Sequence, residues 1–168
     1  MKQLLILMTL ATSTSVLAQS TKATTVKKTF SRTTSVSTVI EADATIIWSL
    51  LTNASDFKRW NSTVISIEGD IAPGQKIKLI STLDPKRTFK LKVKTFQPEK
   101  RLVWGDAMGN RTYTLMPQAD NTVLFSMTEK IGGPLFPLFA KMIPSFDASF
   151  DQFAADLKNE AEKIQGVK

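Results

Sequence analysis

Apolar and polar residues alternate along much of the chain with one of two periods, and the change of period separates strands from helices. The clearest strand pattern lies in residues 87–96, where Lys90, Lys92 and Lys94 separate apolar residues at every second position. This alternation is typical of a half-buried strand with one wet face. Similar patterns between turn-forming residues predict six strands after residue 61, at 63–69, 75–83, 87–96, 101–107, 111–117 and 122–131.

A strand and two helices are predicted before these six strands. Val36, Thr38 and Ile40 alternate with smaller or polar residues, as in a half-buried strand. Asp43 then precedes a helical stripe, and we expect its side chain to cap that helix. A second short helix ends at Trp60-Asn61. The stripe of the first helix consists of Ile46, Ile47, Leu50 and Leu51.

A long amphipathic helix is predicted at the C-terminus, because large apolar residues recur there at helical spacing. Asp147 and Asp151 are expected on its solvated face. The fold class is therefore α+β, with a seven-stranded antiparallel sheet, a long C-terminal helix and two short helices between strands 1 and 2. The buried stripe of the C-terminal helix consists of Phe146, Phe150, Phe153, Leu157 and Ile164, with Ala154 and Ala161 between them.

The opening strand and helices resemble those of the START-like, helix-grip superfamily, which includes polyketide cyclases and dehydrases and lipid-transport proteins. In that family an apolar–Trp–x–Leu–Leu helix is followed by a Trp–Asn close. The resemblance spans roughly residues 34–165, and it implies a curved sheet that grips the C-terminal helix around a hydrophobic ligand cavity. The residues that carry it are Ile47, Trp48, Leu50, Leu51, Trp60 and Asn61.

Hairpin pairing of the predicted strands places aromatic side chains together on the inner face of the sheet. A turn at Met108-Gly109 pairs Trp104 with Tyr113, and the next turn pairs Tyr113 with Phe125. A turn at Asp84-Pro85-Lys86 pairs Leu79 with Leu91 and Ile77 with Val93, and it sets Lys78 opposite Lys92 and Lys76 opposite Lys94.

One polar pair accompanies the aromatic residues, because the same register sets Asp106 beside Arg111. A largely apolar pocket with a few convergent polar groups is typical of small-molecule sites. The alternatives are plain core packing for each aromatic residue and an ion pair at the sheet rim for Asp106 and Arg111. The candidate ligand-binding residues are Trp48, Trp60, Phe89, Leu91, Trp104, Asp106, Arg111, Tyr113, Phe125, Phe136, Phe139, Phe146 and Phe150.

The chain contains no histidine and no cysteine, which excludes the Ser-His-Asp and Cys-His mechanisms and the usual zinc ligands. We expect no metal and no cofactor. The favoured function is binding or carriage of a small hydrophobic or amphipathic molecule, with lipids as one class. The alternative is a cyclase or aromatase-type enzyme in which Asp106 is the base, Tyr113 the acid and Arg111 a clamp for an anionic intermediate.

Residues 132–144 are unusually apolar for a connection between elements. They predict a short helix that covers the open end of the core. The functional alternatives are a lid over the cavity mouth and a tip that touches membrane lipid. A stripe of lysines on one outer face of the sheet predicts a solubilising surface that discourages sheet aggregation. The alternative is an anionic partner, either an acidic protein or an anionic membrane surface in transient contact. The stripe consists of Lys76, Lys78, Lys90, Lys92 and Lys94.

The N-terminus predicts an exported protein. Residues 1–18 combine Lys2, a short apolar run and a small-residue site after Ala18, as in a secretory signal peptide. Residues 19–33 are expected to form a flexible linker, and residues 34–168 the START-like domain, in the periplasm or outside the cell. Without residues 1–18 the chain has 21 basic and 15 acidic residues, a net charge of +6. No nucleic-acid recognition motif accompanies this charge, so we expect no nucleic-acid binding. We also expect a monomer.

Overall fold

The computed structural model describes residues 21–166, which form an α+β fold with one antiparallel sheet. The predicted signal peptide lies outside the described residues. The sheet has eight strands: β1 (Thr21–Lys28), β2 (Ser31–Ile40), β3 (Val64–Glu68), β4 (Lys76–Ser81), β5 (Asp84–Gln97), β6 (Arg101–Gly105), β7 (Gly109–Pro117) and β8 (Val123–Gly132). The helices are α1 (Ala44–Thr52), α2 (Phe57–Trp60), α3 (Phe136–Phe139) and α4 (Asp147–Gln165), with 3₁₀ turns at Ala54–Asp56 and Ala140–Met142.

The strand order is β1-β2-β8-β7-β6-β5-β4-β3, so β2 and β3 lie at distant positions in the sheet. Helices α1 and α2 connect them. The long helix α4 packs against β1, β2 and β8 and against α1 and α2. The expected helix-grip architecture is thereby confirmed, with one strand more than the seven predicted.

The additional strand is β1, within residues that the sequence pattern assigned to a flexible linker. The strand consists mostly of Thr and Lys and lacks apolar alternation, so periodicity does not reveal it. The strand pairs with β2, and two carboxylates of α4 hold it from the side: the Ala23 amide donates to Asp151 (2.7 Å) and the Thr25 hydroxyl donates to Asp147 (2.5 Å). These aspartates therefore bind the edge strand, whereas the sequence analysis placed them on a solvated face.

Three predicted registers are wrong by two residues each, although the parity of every pairing is right. The β4–β5 turn lies at Thr82-Leu83, and beyond an irregularity between Ser81 and Leu79 the strands pair Leu79 with Phe89 and Lys76 with Lys92. The Asp84-Pro85-Lys86 sequence favours a turn, but Asp84 pairs with Ser81 and begins the strand. A shift of two keeps each side chain on its own face, which is why the buried pattern survives the error.

Helices α1 and α2 follow the expected order and end at Trp60, with Trp60 and Asn61 both buried. Asp43 occupies the N-cap position of α1, but its side chain makes no capping hydrogen bond. Instead the Asp43 amide donates to the side chain of Gln165 (3.1 Å). The stripe of α4 is buried as predicted except at its two ends: Phe146 precedes the helix and is only partly buried, and Ile164 is 50% exposed in the last turn.

The outer face of β4 and β5 supports a test of the register. Lys76 lies opposite Lys92 and Lys78 opposite Lys90, and like charges in such pairs repel. We expect the double substitution Lys90→Glu and Lys92→Glu to raise the free energy of unfolding by about 0.2–1 kcal/mol per pair in denaturant titrations. Lys86→Glu is the control, because Lys86 lies beyond the last lysine pair. An equal gain in the free energy of unfolding from Lys86→Glu would mean that net charge causes the effect, and it would contradict the register.

Candidate functional site

The aromatic residues expected on the inner face form a closely packed cluster. The ring centroids of Trp104 and Tyr113 lie 5.0 Å apart, and those of Tyr113 and Phe125 lie 6.2 Å apart. Each of the three side chains is at most 2% exposed. Trp104 is paired with Arg111 and Tyr113 with Met127, so the rings meet along diagonals of the sheet. The predicted contacts are confirmed, although the predicted pairs are wrong.

Phe153 of α4 joins this cluster from the helix side. Its ring centroid lies 5.6 Å from that of Tyr113 and 5.7 Å from that of Trp60. It is also 6.4 Å from the rings of Phe57 and Phe125. The sequence analysis placed Phe153 in the buried stripe but did not include it among the candidate ligand-binding residues. The structure makes it the contact point between helix and sheet.

The other candidate residues fall into separate groups. Trp48 packs edge-on against Phe96 (5.1 Å) outside the central cluster, and Leu91 lies on β5, paired with Ile77. Phe89 is covered by Arg87, whose guanidinium carbon lies 4.7 Å from the ring. At the opposite end of the molecule Phe136 contacts Phe139 (5.7 Å) and Phe146 stacks on Phe150 (6.1 Å).

Asp106 is not placed beside Arg111. Its carboxylate accepts hydrogen bonds from the amides of Met108 (2.7 Å) and Gly109 (3.1 Å), so it closes the turn between β6 and β7. In the observed register Gly105 pairs with Asn110, and Asp106 lies past the end of β6. The predicted pairing of Asp106 with Arg111 is therefore wrong, and its turn contacts leave Asp106 poorly placed to act as a base on a ligand in the interior.

The partner of Arg111 is Glu129, directly opposite on β8. Two guanidinium nitrogens of Arg111 contact the same carboxylate oxygen, with 2.6 Å for Nε, and the side chains are 20% and 19% exposed. The guanidinium also lies over the ring of Phe150 (5.2 Å). Burial by itself lowers the pKa of Arg111, but the charge of Glu129 and the neighbouring Tyr113 outweigh it, so the pKa is raised.

The Tyr113 hydroxyl lies beside this ion pair at the edge of the aromatic cluster. Burial raises the pKa of Tyr113, and the positive charge of Arg111 only partly opposes the rise. The hydroxyl therefore keeps its proton at neutral pH. It makes no hydrogen bond of normal geometry to any residue of the described chain, and the same holds for Trp60 Nε1 and Asn61 Nδ2.

Arg32 attaches the connection between β8 and α4, residues 133–146, to the sheet; this connection is called the connecting segment below. Nη1 of Arg32 donates to the carbonyl of Ile143 (3.1 Å) and Nη2 to that of Pro144 (2.8 Å). Its guanidinium also lies 4.5 Å from the ring of Phe146. Burial lowers the pKa of Arg32, while Glu129 and Asp147 partly compensate. The Arg32 side chain thus joins strand, connecting segment and helix start.

A surface groove of about 410 Å³ runs between the connecting segment and the end of the β1–β2 hairpin. Arg32 and Asp147 line this groove, so it lies beside the contacts that Arg32 makes to the connecting segment. The groove is bordered by Lys27, Lys28, Phe136, Lys141 and Ile143 among others. A second depression, of about 310 Å³, lies on another side of the molecule between the end of α1 and β3, lined by Thr52, Asn53, Ile67 and Asp70 among others.

Sequence comparison gives the family. Residues 31–162 match the family model described as polyketide cyclase / dehydrase and lipid transport. The chain belongs to this family. A comparison of the sequence with curated proteins found no match.

Solved structures of low sequence identity share the fold. A conserved protein of unknown function from Enterococcus faecalis is 19% identical with a TM-score of 0.60, over 82% of this chain and 75% of that protein. A START superfamily protein from Mycobacterium smegmatis is 13% identical with a TM-score of 0.57, over 79% and 98%. DynU16, a putative protein of the dynemicin biosynthetic locus, is 15% identical with a TM-score of 0.58, over 78% and 47%.

Two further structural observations limit the chemistry of residues 21–166. Within this range no group of three or more acidic residues is arranged to hold a metal ion. No helix in the same range is long and apolar enough to span a membrane.

Sequence reasoning missed the polar residues Arg32 and Glu129, although the pattern contained a signal for both. Arg32 alternates with Thr34 and Val36 on β2, and Glu129 alternates with Phe125 and Met127 on β8. A charged residue on the inward parity of a strand indicates a buried polar partner. The partners themselves depend on the register, which a two-residue error changes.

The Arg111–Glu129 pair gives a stability prediction. Glu129→Gln leaves a largely buried guanidinium without its counter-charge, so we expect a loss of about 2–3 kcal/mol, below the roughly 3–5 kcal/mol of a fully buried pair. Replacing both residues, as Arg111→Met with Glu129→Leu, should recover most of the loss because no charge stays buried. The matched control Glu68→Gln, at an exposed pair with Lys78, should cost less than about 1 kcal/mol. Equal losses at Glu129 and Glu68 in chemical denaturation would contradict the buried pair.

Proposed function

We propose that this protein binds or carries a small hydrophobic or amphipathic molecule, with lipids as one class, between the sheet and α4. The observation that carries the proposal is the set of three buried polar groups without a partner in the described chain, Trp60 Nε1, Asn61 Nδ2 and the Tyr113 hydroxyl. Buried polar groups are normally satisfied, so unpaired ones indicate a bound molecule or ordered water. All three can donate, and an oxygen atom of a ligand would accept from them.

The surroundings of these groups favour an amphipathic ligand over an ionic one. Trp60 and Tyr113 both contact the Phe153 ring, so both side chains border the same apolar part of the interior. The nearby charges are balanced, because Arg111 is paired with Glu129. A neutral polar end, such as a hydroxyl, ester or protonated acid, suits this environment better than a full charge, which would have to be desolvated.

The connecting segment supplies an entrance that fits this proposal. It is held to the sheet by the two hydrogen bonds of Arg32 and by packing of Phe136 and Phe146. The Gly133 amide also donates to the carbonyl of Phe30 at the start of the segment, so the part beyond Gly133 can move away from the sheet once the Arg32 and aromatic contacts break. The segment then acts as a lid, as the sequence pattern suggested.

The cyclase alternative receives less support from the geometry. Asp106 is engaged in a turn, so the proposed trio lacks its base, and the raised pKa of Tyr113 makes the phenol a weak acid. We therefore propose binding without catalysis, by a monomer that is exported through the signal pattern of residues 1–18.

The Tyr113 hydroxyl separates a ligand site from a structural one. Tyr113→Phe removes a buried hydroxyl and keeps the ring, so the free protein should become more stable by about 1 kcal/mol, because the cost of leaving a buried group unpaired is removed. The same change should weaken binding of dodecan-1-ol, measured by displacement of N-phenyl-1-naphthylamine, about 3–10-fold. Binding of the naphthylamine probe itself should be unaffected.

Phe125→Leu is the control, since it alters the same aromatic cluster without touching a polar group. It should weaken the alcohol and the probe alike. A loss of stability in Tyr113→Phe would show that the hydroxyl is satisfied in the free protein, and unchanged dodecanol affinity would remove Tyr113 from the site.

Native mass spectrometry of the protein from its own source provides the second test, in which a bound apolar mass is expected and a clean free mass would contradict carriage.

A further inference from the structure

Large apolar side chains are exposed at one end of the molecule, where the β1–β2 turn, the β6–β7 turn and the connecting segment meet. Backbone hydrogen bonds tie these parts together: Gly133 donates to the carbonyl of Phe30 (3.0 Å) and Gly132 to that of Met108 (2.9 Å). Of the eight exposed large apolar side chains among the described residues, five lie here. These five, called the apolar ridge, are Phe30, Met108, Leu135, Leu138 and Met142.

The ridge faces outwards because of the local helical spacing. Leu135, Leu138 and Met142 follow each other at intervals of three and four residues, so they lie on one side of the segment. They are 66%, 79% and 81% exposed, whereas Phe136 on the opposite side is 4% exposed and holds the segment to the protein. The segment therefore buries one anchor and presents a longer apolar stripe to the outside, the reverse of the usual arrangement on a monomer.

Basic residues border the ridge, and acidic ones are scarce. Lys27, Lys28 and Lys141 line the adjacent groove, and all three are exposed. The sequence contains no aspartate or glutamate in residues 21–40 or in residues 130–146. Asp147 lies at the groove, but it is engaged with Thr25 and Ser145. The lysines, called the basic border, therefore form a local positive field beside exposed apolar groups.

We propose that this end docks on the surface of a lipid bilayer that carries anionic headgroups. Inserted apolar side chains gain by leaving water, while surrounding lysines gain about 1 kcal/mol each near an anionic surface. A protein partner suits the surface less well, because lysine is depleted at protein interfaces and lysines border this ridge. Docking depends on the ridge and the border alone, and its failure would leave the proposed interior site untouched.

Two alternative surfaces give matched controls. The outer sheet face carries Lys90 and Lys92, which are also exposed. Met116 and Ile164 are exposed apolar residues, 53% and 50%, away from the ridge. Neutralising Lys90 and Lys92 removes the same charge as neutralising two lysines of the basic border. Replacing Met116 and Ile164 with serine removes about as much apolar surface chemistry as the same change at two residues of the apolar ridge.

The experiment is flotation of the protein with two kinds of vesicle. One is made of phosphatidylcholine alone, and the other also contains phosphatidylglycerol as roughly one lipid in three. The wild type should float with the mixed vesicles and much less with the neutral ones. Leu138→Ser with Met142→Ser, and separately Lys27→Gln with Lys141→Gln, should each weaken binding by about tenfold or more. The border variant should also lose most of the salt dependence. Met116→Ser with Ile164→Ser, and Lys90→Gln with Lys92→Gln, should bind like the wild type.

A single cysteine reports the depth of insertion, because the chain has no cysteine of its own. Leu138→Cys, labelled with an environment-sensitive fluorophore, should shift to the blue on mixed vesicles, while Lys86→Cys should not. Absence of wild-type binding would overturn the proposal. An equal loss of vesicle binding in the Lys90 and Lys92 control would also overturn it. A dimer in sedimentation velocity that dissociates in the Leu138 and Met142 variant would overturn it as well, because the ridge would then be an interface between two copies of the chain. Circular dichroism melts exclude unfolding as the cause of any loss.

Discussion

The packing of one phenylalanine against rings from three other elements holds this fold together. Phe153 projects from α4 onto the rings of Phe57 and Trp60 in α2, Tyr113 in β7 and Phe125 in β8. The sheet is open, with β1 and β3 as its edges, so its inner face must be covered by something else. Helices α4, α1 and α2 supply that cover, and the aromatic cluster is where they meet the strands.

The aromatic interior ends in a layer of charged side chains rather than in water. Arg111 and Glu129 form an ion pair across β7 and β8, and Arg32 bridges β2 to the connecting segment. Each charge in this layer has a partner, while the neighbouring Tyr113 hydroxyl lies close to the Arg111 guanidinium but makes no hydrogen bond of normal geometry in the described chain. One end of the core is therefore apolar with an unpaired donor, covered by a segment that is held mainly through side chains. This combination supports reversible access better than a continuous hydrophobic core would.

Much of the architecture could be predicted from periodicity because each period has a direct physical meaning. The alternation in β5 and the stripe of α4 predict which faces are buried, and both predictions are right except at the ends of the stripe, Phe146 and Ile164. Registers were less accessible, because moving a turn by one residue shifts the pairing by two without exposing any apolar side chain. Asp84-Pro85 has good turn chemistry, yet the chain turns at Thr82-Leu83, and an irregularity between Leu79 and Ser81 then sets the register of the rest of the hairpin.

The candidate site was harder to predict for the same reason. Tyr113 and its aromatic neighbours follow from parity, but the partner of Arg111 depends on the register, so Asp106 was chosen where Glu129 lies. The edge strand β1 was missed because its stabilising contacts are backbone pairing and two distant aspartates, and neither leaves a hydrophobic pattern in a Thr- and Lys-rich segment.

The central claim is that the connecting segment is a lid held by Arg32 and able to move without unfolding the rest of the domain. Amide hydrogen exchange of Arg32→Met against the wild type tests it most directly, because methionine keeps the apolar stem and removes both hydrogen bonds to Ile143 and Pro144. The account predicts faster exchange for amides of residues 135–143 and unchanged exchange in β7, β8 and residues 150–161 of α4. Exchange that accelerates throughout the sheet and helix, or that changes nowhere, would contradict it.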